Sequence, residues 1–522
     1  VSNANTSITF FTKDKTDMKI LNVCRCILWL LITVQLPLFV RAQTTDKRHP
    51  VIVNLIIDDP AMLQDAAIEF SMSRNDINTN YAIGTDLYRF KITAAKTMLT
   101  IPLSASPNYG RIDYVYNKTG TDRPLNRSNN LFLFQQGDTV ELHLSNEKNG
   151  AFFSGKSAGA YTCMYKISNS DVIIKNDQYN TLMRLKDYEA AFDCRKSQLD
   201  SILKVQSAIL NSLKGKLTRE AYNLIGLDCW SIYNQRLVEM YYTPFILQTP
   251  EIYKTAKDLF IRDYGHYKES MFTDSDLLVK SYQYADFLFK KERAYAVIMN
   301  SNAGKSYYPD LKFGDIKQAI DINQDKGTLR DKLKLLAFYE IDRRRQSDFV
   351  DFVNEAVNEA GDNQYKKALQ EFSDNSAIGA NAYSFALPDE NGKIHQLKDF
   401  QGKVVVMDFW FTGCEGCIGM AAQLKPIISS FGANHDVVFI TVSLDRNKTM
   451  WLKSLAAENY SSKSEINLLA GMDRQSPIVK HYNIQGCPTL IVISKNGKII
   501  SVAPPDPRTD AKALIAMVKQ SL

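Results

Sequence analysis

Lys403–Leu424 reads KVVVMDFWFTGCEGCIGMAAQL, and the order of its parts decides the fold. The run VVVMDFWF is apolar except for Asp408 and has the length and β-branched content of a central strand. After a short Thr412-Gly413 turn come Cys414 and Cys417, and apolar residues then recur at helical spacing through CIGMAAQLKPIISSF. Strand, turn, Cys-x-x-Cys and helix in this order set Cys414 at a helix N-terminus. There the unpaired backbone N–H groups and the helix dipole stabilise a thiolate. Cys417 falls one turn further in, close enough to close a small disulfide ring and more deeply covered. Cys414 is therefore the expected attacking sulfur and Cys417 the resolving one.

Two other uses of a Cys-x-x-Cys pair fit less well. A zinc knuckle needs two further ligands at a second paired spacing, and the nearest candidates, His481 and Cys487, are isolated residues. A structural disulfide across four residues closes so short a loop that it restricts the unfolded chain little, whereas a strained, exposed pair suits exchange.

Outward from this stretch, βα alternation fills the C-terminal quarter. YSFALPDENGKIHQL predicts a hairpin turned at Asn391-Gly392, DVVFITVSLD a strand, and NKTMWLKSLAAENY a helix. PTLIVISKNGKIISV predicts a second hairpin turned at Asn496-Gly497, followed by a closing helix over about 510–522. Upstream, the polar, small-residue stretch SDNSAIGAN (Ser373–Asn381) reads as a linker. Residues 171–375 read as helical: Leu199, Ile202, Leu203, Ile209, Leu210 and Leu213 share a helical face. SDLLVKSYQYADFLF follows Thr273-Asp274 as a capped start, and a further helix begins at Thr328. Residues 43–170 read as an all-β, sandwich-like domain, with VIVNLII, LYRFKIT, RIDYVY, LFLF and DTVELHL as strands between Gly, Asn, Asp and Pro clusters. The fold class is thus multidomain: an N-terminal all-β domain, a helical middle region and a C-terminal α/β domain over 376–522.

Residues 1–42 read as an address. From Met18, Lys19 and Arg25 precede the apolar ILWLLITVQLPLFV, and VRA offers small residues for cleavage after Ala42. Val1–Asp17 read as an upstream extension of the frame. The apolar stretch, broken by Gln35 and Pro37, is short for a spanning helix, so membrane association stands as the alternative to cleavage. Export predicts an oxidising compartment for Cys163, Cys194, Cys229, Cys414, Cys417 and Cys487, among which the first three are candidates for one structural disulfide. The formal charge of +6, from 63 basic and 57 acidic residues, is not gathered into any basic run, which excludes nucleic acid as an expected partner.

VVVMDFWFTGCEGC together with the distant YNIQGCPTLIVISKNGKII resembles the thioredoxin superfamily, and within it the exported TlpA/ResA-like thiol-disulfide oxidoreductases. FQQGDTVELHLSNEKNGAFFSGKSAGA resembles the β-rich N-terminal domain that some multidomain members carry. The resemblance implies a thioredoxin fold and catalysis by Cys414 and Cys417, with no cofactor beyond their redox-active disulfide and no metal. Asp408 matches the buried carboxylate that takes the resolving thiol's proton; burial would raise its pKa towards neutrality, where such a transfer works. Pro488 matches the cis-proline facing the pair, the Cys487 backbone would hold an extended substrate, and Trp410 would supply an apolar rim, with Phe411 on the rim or in the core. Implied partners are protein disulfides and an upstream thiol donor in a bacterial periplasm or cell envelope.

Four departures from that pattern bear on the chemistry. Glu415-Gly416 replaces the Gly-Pro dipeptide; a carboxylate there opposes thiolate formation and Gly loosens the turn, so both residues tune the redox poise. Met420 stands where some members place a glutamate. Ala422 replaces a proline, while Pro426 is expected to kink or shorten the helix. Cys487 has three readings: a small packed residue, an alternative disulfide partner, or the third sulfur of a copper or zinc carrier site with Cys414, Cys417 and His481. A peroxidase is disfavoured because Met407 and Phe411 occupy the Pro and Thr places of the peroxiredoxin signature.

Overall fold

The structure is a computed structural model that describes residues 49–63, 66–73, 85–103, 105–116, 121–125, 131–145, 150–170, 176–265, 274–340, 349–432, 434–471, 476–484 and 486–522. The address segment, with Cys24, Cys26 and the expected cleavage after Ala42, lies outside the described residues.

The first strands are β1 (Val51–Ile57), β2 (Ala66–Ser73), β3 (Thr85–Lys91), β4 (Lys96–Ile101), β5 (Asn108–Tyr116), β6 (Thr121–Pro124), β7 (Phe132–Phe134), β8 (Thr139–Leu144) and β9 (Ala151–Ser154). They form two sheets, β4-β1-β8-β9 and β3-β2-β5-β6, with β7 paired to β5. Every second residue of β1, from Val51 to Ile57, enters the core, as a strand with one covered face requires. The interior strand β2 was not anticipated. Its AAIEFSMS has small and polar residues where a pattern reader looks for alternation, yet nearly all of it is buried.

Helix begins at Ala158, inside the stretch expected to be all-β. The helices are α1 (Ala158–Ser168), α2 (Asp177–Arg184), α3 (Tyr188–Ser212), α4 (Arg219–Leu247), α5 (Pro250–Tyr264), α6 (Ser275–Lys280), α7 (Tyr282–Asn300), α8 (Phe313–Asn323), α9 (Thr328–Glu340), α10 (Phe349–Glu359) and α11 (Gln364–Ser376). The stretch SDLLVKSYQYADFLF is broken at Ser281, which is extended and caps α7 by accepting from the Tyr284 N–H at 3.0 Å. The expected linker is half helix: α11 continues through Ser376. Beyond it, Gly379, Ala380 and Ala382 form backbone hydrogen bonds with Ile499 and Gly497. Cys163, Cys194 and Cys229 form no disulfide, and burial pushes the Cys163 thiol up to about 12.

The C-terminal part contains β10 (Ala386–Pro388), β11 (Ile394–Gln396), β12 (Val404–Trp410), α12 (Glu415–Phe431), β13 (Val437–Ser443), α13 (Lys448–Ala456), β14 (Ile466–Leu469), α14 (Pro477–His481), β15 (Thr489–Ile493), β16 (Ile499–Ser501) and α15 (Pro507–Gln520). Five strands order as β14-β13-β12-β15-β16, the first three mutually parallel and the last two antiparallel. β12 is the centre of this sheet and is buried along its whole length. Its residues alternate between two clusters: Val405, Met407 and Phe409 join the large core, while Val404 and Val406 pack with Met420, Leu424 and Ile427 of α12 and Leu514 of α15. Pro426 does not shorten α12. The helix runs on to Phe431, because Leu424, Ile427, Ile428 and Phe431 on its inner face are anchored against the sheet.

Candidate active site

Parallel strands β12 and β13 both end where α12 begins, so the carboxyl end of the central strand delivers the chain directly to Cys414. Cys414 is the N-cap of α12 and is bonded to Cys417, with 5.3 Å between their Cα atoms. Its Sγ accepts the Cys417 backbone N–H at 3.1 Å, so one orphan donor of the first helical turn is aimed at this sulfur. Cys414 keeps 7% of its surface exposed and Cys417 none. That difference makes Cys414 the sulfur a partner reaches first.

The Phe411–Cys414 turn is braced by residues that the sequence did not single out. Asp445, just beyond β13, accepts the Thr412 N–H at 3.0 Å and the Thr412 hydroxyl at 2.7 Å, and also takes the Ser443 hydroxyl at 3.1 Å. Ser454 shares a 2.7 Å hydrogen bond with the same Thr412 hydroxyl, and the Gly413 N–H donates to the Tyr460 hydroxyl at 2.9 Å. Arg446, next to Asp445, lies 3.7 Å from Glu69 of β2, where Arg89 also pairs.

Trp410 is corrected from rim to core. It is fully buried, stacked on Tyr460 with ring centroids 4.8 Å apart, and packs with Cys414, Cys417 and Trp451. Phe411, one residue beyond the strand, is 40% exposed. Asp408 is 2% exposed and lies two residues before Trp410, so it shares the β12 face that α12 covers. The Cys487-Pro488 bond is cis, and the Cys487 carbonyl oxygen stands 3.6 Å from Cys414 Sγ.

Gly416 has a steric reason. A Cβ built there would stand 3.2 Å from Pro488 Cδ and 3.5 Å from an Arg508 guanidinium nitrogen, so the helix approaches the Pro488 ring closely and a side chain here would press on it. Arg508 places Nη1 3.4 Å from the Gly416 carbonyl and pairs with Asp506. Glu415, the first residue of α12, is exposed.

The metal-carrier reading does not find its ligands. His481 packs its ring against Tyr383 and Tyr482, 5.1 and 4.9 Å between centroids, and Tyr482 in turn meets Phe409 on the β12 face opposite Trp410. Among the described residues no three His, Cys, Asp or Glu side chains converge as a group able to hold a metal ion.

A dithiol-disulfide pair at the N-terminus of a helix, at the end of a central strand and facing a cis-proline, defines a thioredoxin-like redox domain, and the thioredoxin-like family matches residues 402–499. The chain is 30% identical over 126 residues to the thiol-disulfide oxidoreductase ResA of Geobacillus kaustophilus, covering 24% of this chain and 67% of the relative. It is also 30% identical over 128 residues to ResA of Bacillus subtilis, covering 24% and 65%. The chain belongs to the ResA-like thiol-disulfide oxidoreductases of the thioredoxin superfamily. Among solved structures, the thioredoxin domain of a thiol-disulfide oxidoreductase from Bacteroides vulgatus matches at 27% identity and a TM-score of 0.23, over 27% of this chain and 98% of that one.

Proposed function

We propose that the protein is an exported dithiol reductase that acts on disulfides of envelope proteins. In the reduced enzyme the Cys414 thiolate attacks one sulfur of a substrate disulfide, forming a mixed disulfide and expelling the other substrate sulfur as a thiolate. Cys417 then loses its proton and attacks Cys414 Sγ, closing the Cys414–Cys417 disulfide and releasing the second substrate thiolate. Two electrons pass from the dithiol to the substrate, and an upstream thiol donor of the envelope restores the pair.

The observation that carries this reading is the asymmetry of the two sulfurs: Cys414 is reachable and receives a helix N-terminal N–H, while Cys417 is sealed beneath it. Asp408, buried on the strand face beneath α12, is the proposed acceptor of the Cys417 proton, and the Cys487 backbone beside Cys414 is the proposed edge for an extended substrate segment. Export and an envelope address rest on the basic residues and apolar run between Met18 and Ala42. Among the described residues no helix is long and apolar enough to cross a membrane.

Insulin reduction by the purified protein tests the mechanism. Cys414→Ser should abolish turnover and Cys417→Ser should accumulate the mixed disulfide; a Cys414→Ser protein as fast as wild type would end the proposal. Asp408→Asn should slow resolution by about a hundredfold, the general range for a lost general base, with the mixed disulfide building up. A reduction potential near thioredoxin's roughly −270 mV, rather than about −120 mV, is expected for a reductase.

A further inference from the structure

A cavity of about 240 Å³ lies away from the redox pair, bounded by Leu131 ahead of β7 and by residues of α1, α3, α4 and α7. None of its lining residues belongs to the thioredoxin-like part of the chain. Leu131, Met164, Ile167 and Ile232 give its lining apolar surface.

The rest of the lining is largely polar, and most of its charged groups already have partners. Lys290 is held between Glu239 at 3.2 Å and Asp286 at 3.3 Å, and the Gln235 amide donates to Asp286. Asp228 accepts the Tyr109 hydroxyl at 2.7 Å and the Ser281 hydroxyl at 2.6 Å. Arg236 differs from these. It lines the cavity, and its side chain makes no hydrogen bond or ion pair with any described residue. Gln206 and Gln283 line the same space, are only 8% and 4% exposed as residues, and their side-chain amides have no hydrogen-bond partner among the described residues.

A guanidinium is built to hold a carboxylate through two parallel N–H donors, and amides without protein partners beside it offer further donors and acceptors to the same ligand. We infer that this cavity binds a small molecule with one carboxylate on an apolar body, the carboxylate on Arg236 and the neighbouring polar atoms on Gln206 and Gln283. A chain whose C-terminal domain carries out the redox chemistry thus has a second, separate binding site for an amino-acid-sized acid.

The test uses the full oxidised chain and isothermal titration calorimetry with N-acetyl-L-leucine, phenylacetate and hexanoate, each beside its neutral amide. At least one acid should bind saturably, with its amide about tenfold or more weaker, because a charge-assisted pair is lost. Arg236→Gln should weaken the acid by a similar factor and leave the amide unchanged, while Arg236→Lys should restore part of the loss. Both variants should keep the wild-type urea midpoint, which shows that the helical region is folded, and should reduce insulin as wild type does. The inference is overturned if none of the three acids binds at about 5 mM, if acid and amide bind equally, or if Arg236→Gln binds the acid as wild type does.

Discussion

Replacing Asp445 by Asn should loosen the turn that presents Cys414. The carboxylate accepts three hydrogen bonds: the Thr412 N–H on one oxygen, and the hydroxyls of Thr412 and Ser443 on the other. An amide has one acceptor oxygen, so if that oxygen keeps the Thr412 N–H, an NH₂ donor is turned towards two hydroxyls. Thr412 Oγ1 is already engaged with Ser454, which limits its freedom to reverse. At least one hydrogen bond to a charged acceptor is lost, worth about 1.5–3 kcal/mol, or roughly a tenfold to hundredfold gain in local opening. Hydrogen exchange of the peptide spanning Phe411–Cys414 measures this opening without requiring the whole chain to unfold in one step. A double-mutant cycle with Thr412→Val isolates the shared bond, and the expected coupling is about 1.5 kcal/mol or more. If exchange in Asp445→Asn stays within about threefold of wild type, or if the two substitutions add to within about 0.5 kcal/mol, the bracing argument is wrong.

Three further outcomes follow from particular contacts. Gly416→Ala sets a methyl 3.2 Å from Pro488 Cδ; overpacking of this kind costs about 1–3 kcal/mol against about 0.5–1 kcal/mol gained in helix propensity, so a lower melting temperature is expected. Tyr460→Phe keeps the stack on Trp410 but strands the Gly413 N–H, and should cost about 1 kcal/mol in the same exchange measurement. Burial pushes the Asp228 carboxyl up to about 6, so between its unfolded value near 4 and that value the folded chain binds the extra proton. Stability from this group therefore falls as pH rises from about 4 to 6, by up to about 3 kcal/mol, and Asp228→Asn should flatten that part of the urea-midpoint profile.

The C-terminal architecture was legible because its strands are long apolar runs and its turns carry Asn-Gly. The observed hairpins β10–β11 and β15–β16 turn there, with Gly392 and Gly497 at positive φ. The edge strand β14 was missed: INLL is four residues long, and its Asn467 pairs with Thr441 across the sheet rather than continuing an apolar pattern. The two cysteines and Pro488 were legible as motifs. Asp445, Ser454 and Tyr460 were not, since each meets the turn from 33 to 47 residues away with no local spacing to mark it. Trp410 was misplaced although the signal was there. Residues two apart on a strand share a face, so a buried Asp408 under α12 implies a buried Trp410, and Phe411 is the first side chain free of the sheet. In the N-terminal part, β2 and α1 defeated the reading because small residues such as Ala66, Ala67, Ala158 and Ala160 carry little pattern of their own and are buried by tertiary packing.

Cys163 and Cys229 lie in the interior, on α1 and α4, and burial raises both thiols, the first to about 12. At neutral pH both therefore stay protonated, and only a thiolate opens a disulfide. Burial therefore insulates these two sulfurs from the redox pair: electrons held by Cys414 and Cys417 have no internal side path through Cys163 or Cys229.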